Sequence, residues 1–465
     1  MKELIFAGFI LEPALLSLRF YKLKIQTNYS NIWKIAYPII LGSVAQNIIA
    51  LTDTAFLGHL SEVALGAAAI ATIFYFAVVM LGWGFGLGTQ IVIARRFGEG
   101  NYKRVGKTFD HALYFLLILA VFLLGFMEFQ APSILKSIVK SDAIFQASTD
   151  YISVRAWGIL FACINLLFRA FYIGIAKTKI ISWSTAFMAI INIFLDYVLI
   201  FGELGFPEMG IKGAALASVI AEVCVLIFFI VYTLRKTPVG KYNLFAFPKI
   251  DKDLYTRLLK VSFPMMIQNF LALSCWFVFF LLVEKMGERE LAISNIIRSI
   301  YVLIMVPVWA FASAANTLVS QVIGDGNPKE VLPVIFRTVK LSFLCVLGLV
   351  GISLISPELV ISIYTDEVGL IAETKPVLYV IFGAALLFPV GITLFQGVSG
   401  TGNTFHAMLI EIVVLACYLG GVYVLIEVIQ LPISGVWISE YFYAGFLALG
   451  SWLYLRYANW KESEI

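Results

Sequence analysis

Residues 62–101 read EVALGAAAIATIFYFAVVMLGWGFGLGTQIVIARRFGEGN. From Val63 to Gly88 the stretch holds no charged residue, and at ~1.5 Å per helical residue it is long enough to cross ~30 Å of hydrocarbon. It then runs into Arg95, Arg96 and the turn Gly98-Glu99-Gly100-Asn101. Blocks of this kind recur from Trp33 to the C-terminus and lack the two-residue alternation of barrel strands, so they read as helices. The composition agrees. With 61% hydrophobic and 13% charged residues over 465 positions, and a mean hydropathy of +0.93, the chain has too little charge to cover a water-facing surface.

Twelve spans are expected, near 33–57, 63–88, 107–130, 147–173, 181–201, 211–234, 255–283, 291–320, 332–355, 372–398, 404–427 and 432–456. The long polar connection in the middle carries Arg235, Lys236, Lys241, Lys249 and Lys252. Basic residues also follow spans 2 and 4: Arg95, Arg96, Lys103, Arg104 and Lys107, then Lys177 and Lys179. The opposite connections are balanced or acidic, with Glu203, Glu208 and Lys212 after span 5, and Glu358, Asp366, Glu367, Glu373 and Lys375 after span 9. Basic loops resist translocation, so both termini and the linker are expected in the cytoplasm, in a protein of the cell (inner) membrane. The net charge of +4 is this loop bias and does not point to nucleic acid. Residues 1–28 begin with an apolar run broken by Glu12 and Pro13 and lack a small-x-small cleavage site. They read as an amphipathic, interfacial extension. The five cysteines fall inside spans without metal-type spacing and read as packing residues.

Shifting the chain by 226 residues superposes its halves without a gap. Lys34 and Pro38 meet Lys260 and Pro264, and Glu62 and Leu65 meet Glu288 and Leu291. Tyr75, Trp83 and Phe85 meet Tyr301, Trp309 and Phe311, while Gly98-Glu99-Gly100-Asn101 meets Gly324-Asp325-Gly326-Asn327. Each half has an even number of spans, so the repeats are parallel, related by an axis along the membrane normal. The expected fold is an all-α polytopic membrane protein of twelve transmembrane helices in two six-helix bundles. The divisions are an extension (1–30), a first bundle (31–234), a linker (235–254), a second bundle (255–458) and a tail (459–465). Duplication around a central cavity points to a transporter that takes a small-molecule substrate, works as a monomer among membrane lipids and needs no cofactor beyond its coupling ion.

Charge at membrane depth is costly and so is usually paired or functional. The candidates are Asp53, Arg155, Asp196, Glu222, Arg298, Glu411 and Glu440. Asp53 and Asp196 lie four to five residues from the outer ends of two spans that run the same way, and so share a depth. Asn192 is one turn below Asp196; Ser218, one turn from Glu222, approaches from span 6. Two carboxylates and neutral oxygens in a dry pocket can take up a proton or hold a hard cation such as Na⁺. Asp53, Asp196, Asn192 and Ser218 are the expected ion-coupling residues, with Asp53, Asn192 and Asp196 the candidate Na⁺ ligands. Gln46, Asn47, Glu222, Arg298 and Glu411 are candidates for the substrate cavity. An enzyme is not expected: His59, His111 and His406 are dispersed without a metal-ligand pair, and neither a P-loop nor a nucleophile elbow occurs.

From Trp33 onward the chain resembles the multidrug and toxic compound extrusion (MATE) family. The resemblance rests on Pro38, Gln46-Asn47 and Asp53-Thr54-Ala55-Phe56-Leu57-Gly58-His59-Leu60 in span 1, and on Gln90 and Arg95-Arg96-Phe97-Gly98-Glu99-Gly100 after span 2. Asn192 and Asp196 in span 5, and Gly210-Ile211-Lys212-Gly213-Ala214-Ala215 at the entry to span 6, also match. The DinF-like branch is the more similar. The resemblance implies ion coupling at Asp53 and Asp196 with Asn192 beside them, and export of amphipathic or cationic compounds against H⁺ or Na⁺. The NorM-like branch adds an acid in the core of span 7, where this chain reads Pro264-Met265-Met266-Ile267-Gln268-Asn269. Lys177 and Asn403 stand where relatives often have Asp. A flippase for a lipid-linked saccharide is the alternative within the same superfamily.

Overall fold

The structure, a computed structural model, describes residues 25–461. Residues 1–24 of the expected interfacial extension lie outside them. The described residues contain helices and no strand. The first bundle holds α1 (Tyr29–Leu60), α2 (Glu62–Gly98), α3 (Tyr102–Ile138), α4 (Asp142–Arg155), α5 (Gly158–Gly174), α6 (Lys179–Phe201) and α7 (Ile211–Lys236). A short helix, α8 (Val239–Tyr242), belongs to the connection. The second bundle holds α9 (Lys252–Glu284), α10 (Glu288–Gly324), α11 (Val331–Ile355), α12 (Pro357–Ser362), α13 (Val368–Gly400), α14 (Thr404–Tyr423), α15 (Ile433–Val436) and α16 (Ser439–Tyr457). Ten helices are long and apolar enough to cross a membrane, and α4 with α5 makes an eleventh bent span. α16, of 19 residues, falls below that measure and stands where the twelfth span was expected.

The helix ends follow from local chemistry. Ser61 accepts a hydrogen bond from the Ala64 amide and caps α2, with Glu62 in its first turn. The two Gly-x-Gly-Asn turns fall at the same place in each half, because Gly100 (φ +73°) and Gly326 (φ +81°) occupy the left-handed region. Asn101 then caps α3 through the Arg104 amide at 3.3 Å. Pro38 has no amide hydrogen for the Lys34 carbonyl; Thr178 Oγ1 donates to that carbonyl at 3.3 Å instead.

One span departs from the expected straight helix. The span near 147–173 bends by 53° between α4 and α5. No proline marks the break. Gly158 lies directly against the Arg155 guanidinium and the Glu222 carboxylate, so the chain turns around a buried ion pair where a side chain would not fit.

The two halves meet at the end that carries the basic loops. Arg95 Nη2 donates to the Thr401 carbonyl at 2.6 Å, and Gln321 Nε2 donates to the Gly174 carbonyl at 2.8 Å. Arg95 and Gln321 are equivalent under the 226-residue shift, so the seam is built twice from one plan. Ser320 Oγ donates to Ile91 O at 2.7 Å, and Gln90 Nε2 to Thr317 Oγ1 at 3.0 Å. Gly98 sits on the backbone of Gln321, and Gly324 on the backbone of Arg95. Neither leaves room for a Cβ.

The connection between the halves is strapped to α3. Asp110 accepts the backbone amides of Phe245, Ala246 and Phe247, each at 3.1 Å. Positive φ at Asn243, Phe245 and Phe247 turns these amides to one side, forming an anion-binding nest. The His111 ring accepts the Asp251 amide at Nε2 (2.9 Å), and Tyr114 Oη donates to Pro248 O at 3.1 Å. Lys107 pairs with Asp251 at 2.5 Å; that hydrogen bond and the Leu254 amide hold the Asp251 carboxyl below its ordinary range.

The seam yields a prediction. Gly98→Val forces a side chain into the Gln321 backbone, at an expected cost of about 1–3 kcal/mol. Its thermal unfolding midpoint in detergent falls below that of Gly125→Val, because a Cβ at Gly125 meets nothing.

Candidate ion site in the first bundle

Helices α1 and α6 pack closely because Gly42 presents only backbone to Thr185 and Ile181. Farther along the pair, this brings Asp53 of α1 beside Asp196 of α6, close enough for their carboxyl groups to interact directly. Asn192 and Asp196 are 1% and 0% exposed. Asp53 Oδ1, both carboxylate oxygens of Asp196 and both amide atoms of Asn192 are buried without a hydrogen-bond partner. Polar atoms in such a place are normally satisfied. Asp53 Oδ1, the Asp196 carboxylate and Asn192 Oδ1 lack a protein donor, a set that a proton or a small hard cation can complete.

Around this pair the first bundle holds a second polar layer. Arg155 forms a two-pronged bridge to Glu222, with Nη2 to Oε1 at 2.6 Å and Nη1 to Oε2 at 3.0 Å. Its guanidinium stacks over the Tyr75 ring at 3.9 Å, and Asn165 Nδ2 donates to the Glu222 backbone carbonyl at 3.0 Å. Arg155 is within electrostatic reach of Asp53, and Tyr151 of both aspartates. The one strong cation of the cluster is already matched by Glu222, which leaves the aspartates without a full counter-charge.

The remaining candidates divide. Ser218 is buried a turn before Glu222 on α7. Gln46 is exposed, and Asn47 turns its amide back to the Ser43 carbonyl at 2.9 Å. Arg298 stacks over Phe280 at 5.1 Å, and Glu411 accepts the Tyr443 hydroxyl in the second bundle. Glu222 is tied to Arg155 and has no free oxygen to offer a ligand. Reading from residue types missed Tyr75 and Tyr151 as neighbours of the charges. The match of Tyr75 with Tyr301 in the repeat was the available signal for the first, and Tyr151 had none.

A duplicated helical membrane protein, joined between its halves at one end and with unsatisfied carboxylates buried inside it, has the anatomy of a transporter. The chain belongs to the MatE family, a family of membrane transporters: the family model matches residues 38–198 and again 264–424. Both edges of the second match are displaced by the 226 residues of the internal repeat. The chain is 28% identical over 414 residues to the probable multidrug resistance protein NorM of Thermotoga maritima, covering 87% of each chain. It is 27% identical over 336 residues to the NorM protein of Synechocystis, covering 72% of each. A solved outward-facing multidrug resistance MATE transporter superposes with a TM-score of 0.86 at 20% identity, covering 92% of this chain and 95% of that one. A MOP superfamily transporter from Pyrococcus furiosus gives 0.84 at 20% identity and the same coverage.

The ion pair is open to test. Arg155→Met leaves the Glu222 carboxylate buried alone, an expected loss of roughly 3–5 kcal/mol. Thermal unfolding reads this loss, and the combination with Glu222→Gln recovers part of it because the stranded charge is then removed.

Proposed function

We propose that the protein is a secondary active efflux antiporter. It exports amphipathic or cationic organic compounds in exchange for H⁺ or Na⁺, and it couples through the first bundle in the DinF-like manner. The observation that carries this reading is the set of unsatisfied oxygens at Asp53, Asn192 and Asp196. Its multidrug character is supported by the NorM proteins of Thermotoga maritima and Synechocystis. The seam end is the cytoplasmic face of the cell membrane, on the side of the basic loops and both termini. The moving bodies are residues 31–234 and 255–458, joined by 235–254.

In this scheme an ion entering the Asp53–Asp196 pair removes its net negative charge. A cationic substrate then loses its attraction to the first bundle, so ion and substrate compete through charge as well as shape. Ion binding favours one packing of α1 against α6 and substrate favours another, and linkage makes the effect reciprocal. For the cavity to open inward, the hydrogen bonds of Arg95 and Gln321 must part together. Their loss is the step that the difference in ligand affinity between the two states has to drive.

Transport of a cationic dye out of proteoliposomes, under separately imposed H⁺ and Na⁺ gradients, tests the proposal. One of the two gradients drives export by wild-type protein, and Asp53→Asn and Asp196→Asn each abolish that gradient dependence. Unchanged gradient-driven export in Asp53→Asn would overturn it.

A further inference from the structure

A second set of buried acids lies in the other bundle. Glu411 of α14 and Glu440 of α16 are 3% and 2% exposed. Each accepts a tyrosine hydroxyl: Tyr443 Oη donates to Glu411 Oε1 at 3.0 Å, and Tyr418 Oη donates to Glu440 Oε1 at 2.8 Å. Glu411 Oε2 is buried with no partner at all. Cys275 of α9 is within reach of both carboxyls, Tyr301 of α10 faces Glu440, and Tyr443 of α16 faces both. From α13 the neighbour is Phe388, packed on Tyr301 at 5.5 Å and on Tyr443 at 6.2 Å. Among the described residues no lysine, arginine or histidine pairs with either glutamate.

The repeat shows how this arose. Under the 226-residue shift Tyr301 is the counterpart of Tyr75, and Tyr418 the counterpart of Asn192. Phe279 stands for Asp53 and Val422 for Asp196, so the aspartate pair is gone. The rings of Phe279 and Tyr418 are 6.1 Å apart in its place. Ile381 stands for Arg155. The second bundle has therefore lost both the aspartates and the guanidinium; its acids stand at the counterparts of Thr185 on α6 and Ala214 on α7, and the second of them, Glu440, faces the equivalent tyrosine.

We propose that Glu411 and Glu440 form a second proton-carrying site, in the second bundle. A buried carboxylate with a single donor and no counter-charge is expensive. Taking up a proton removes the charge, and the two tyrosines hold the carboxyl groups in place as it comes and goes. A sodium ion fits less well, because it needs several convergent oxygens and here a thiol and aromatic rings fill the neighbouring positions. The site binds protons whether or not export by the first bundle is proton-driven.

The test is pH-difference infrared spectroscopy on purified full-length protein carrying Asp53→Asn and Asp196→Asn, which removes the aspartate pair of the first bundle. A protonated-carboxyl band that titrates with pH remains in this background. Adding Glu411→Gln or Glu440→Gln each removes intensity equivalent to roughly one proton per chain. Tyr443→Phe shifts the frequency of the Glu411 component without removing it, and Glu440→Asp does the same for the other component, which separates proton binding from misfolding. Sodium at constant pH leaves the band unchanged. The absence of any component assignable to Glu411 or Glu440 would overturn the proposal, as would discharge of the band by sodium.

Discussion

Hydrocarbon offers no hydrogen bonds, and every charge carried into it has to find its partner inside the protein. Much of the first bundle is arranged around that requirement. Arg155 is matched by both oxygens of Glu222 and by the face of Tyr75. The helix that carries it bends at Gly158 to make room. Because this pair is complete, the aspartates nearby cannot borrow its charge. Their unsatisfied state follows from a neighbouring ion pair that is already complete.

A different constraint governs the contact between halves. Glycine laid on backbone and long side chains reaching carbonyls build the seam, beside apolar contacts such as Trp33 on Phe311. Gly98 and Gly324 let α2 and α10 approach to backbone contact. Arg95 and Gln321 then each reach a carbonyl of the opposite half. Duplication supplies the geometry twice, while the different residues at 95 and 321 make the two sides chemically unequal.

The helices were legible in the sequence because the membrane fixes their length and leaves uncharged blocks such as 63–88. The Gly-x-Gly-Asn turns were legible because positive φ at Gly100 and Gly326 demands glycine. The shared depth of Asp53 and Asp196 followed from counting residues to the ends of spans that run the same way. Other features left no such mark. The bend after Arg155 involves no proline and depends on a partner, Glu222, from another helix. The anion nest around Asp110 uses the amides of Phe245, Ala246 and Phe247, and amides are common to every residue type but proline. Glu411 and Glu440 were visible as costly residues. The tyrosines that hold them are two among 21 in the chain, and only the fold shows which two.

The strap on α3 bears on how the molecule can articulate. A polar connection in the middle of the chain suggests a slack tether between two swinging bodies. Here Asp110, His111, Tyr114 and Lys107 fasten it to the first bundle as far as Asp251, which is also the cap of α9. The slack is taken up. In the proposed transport cycle the second bundle turns about a short joint at the root of α9, and the connection travels with the first bundle as part of its frame. In that cycle a pivot near the seam would turn small displacements there into wide excursions at the far ends of the helices.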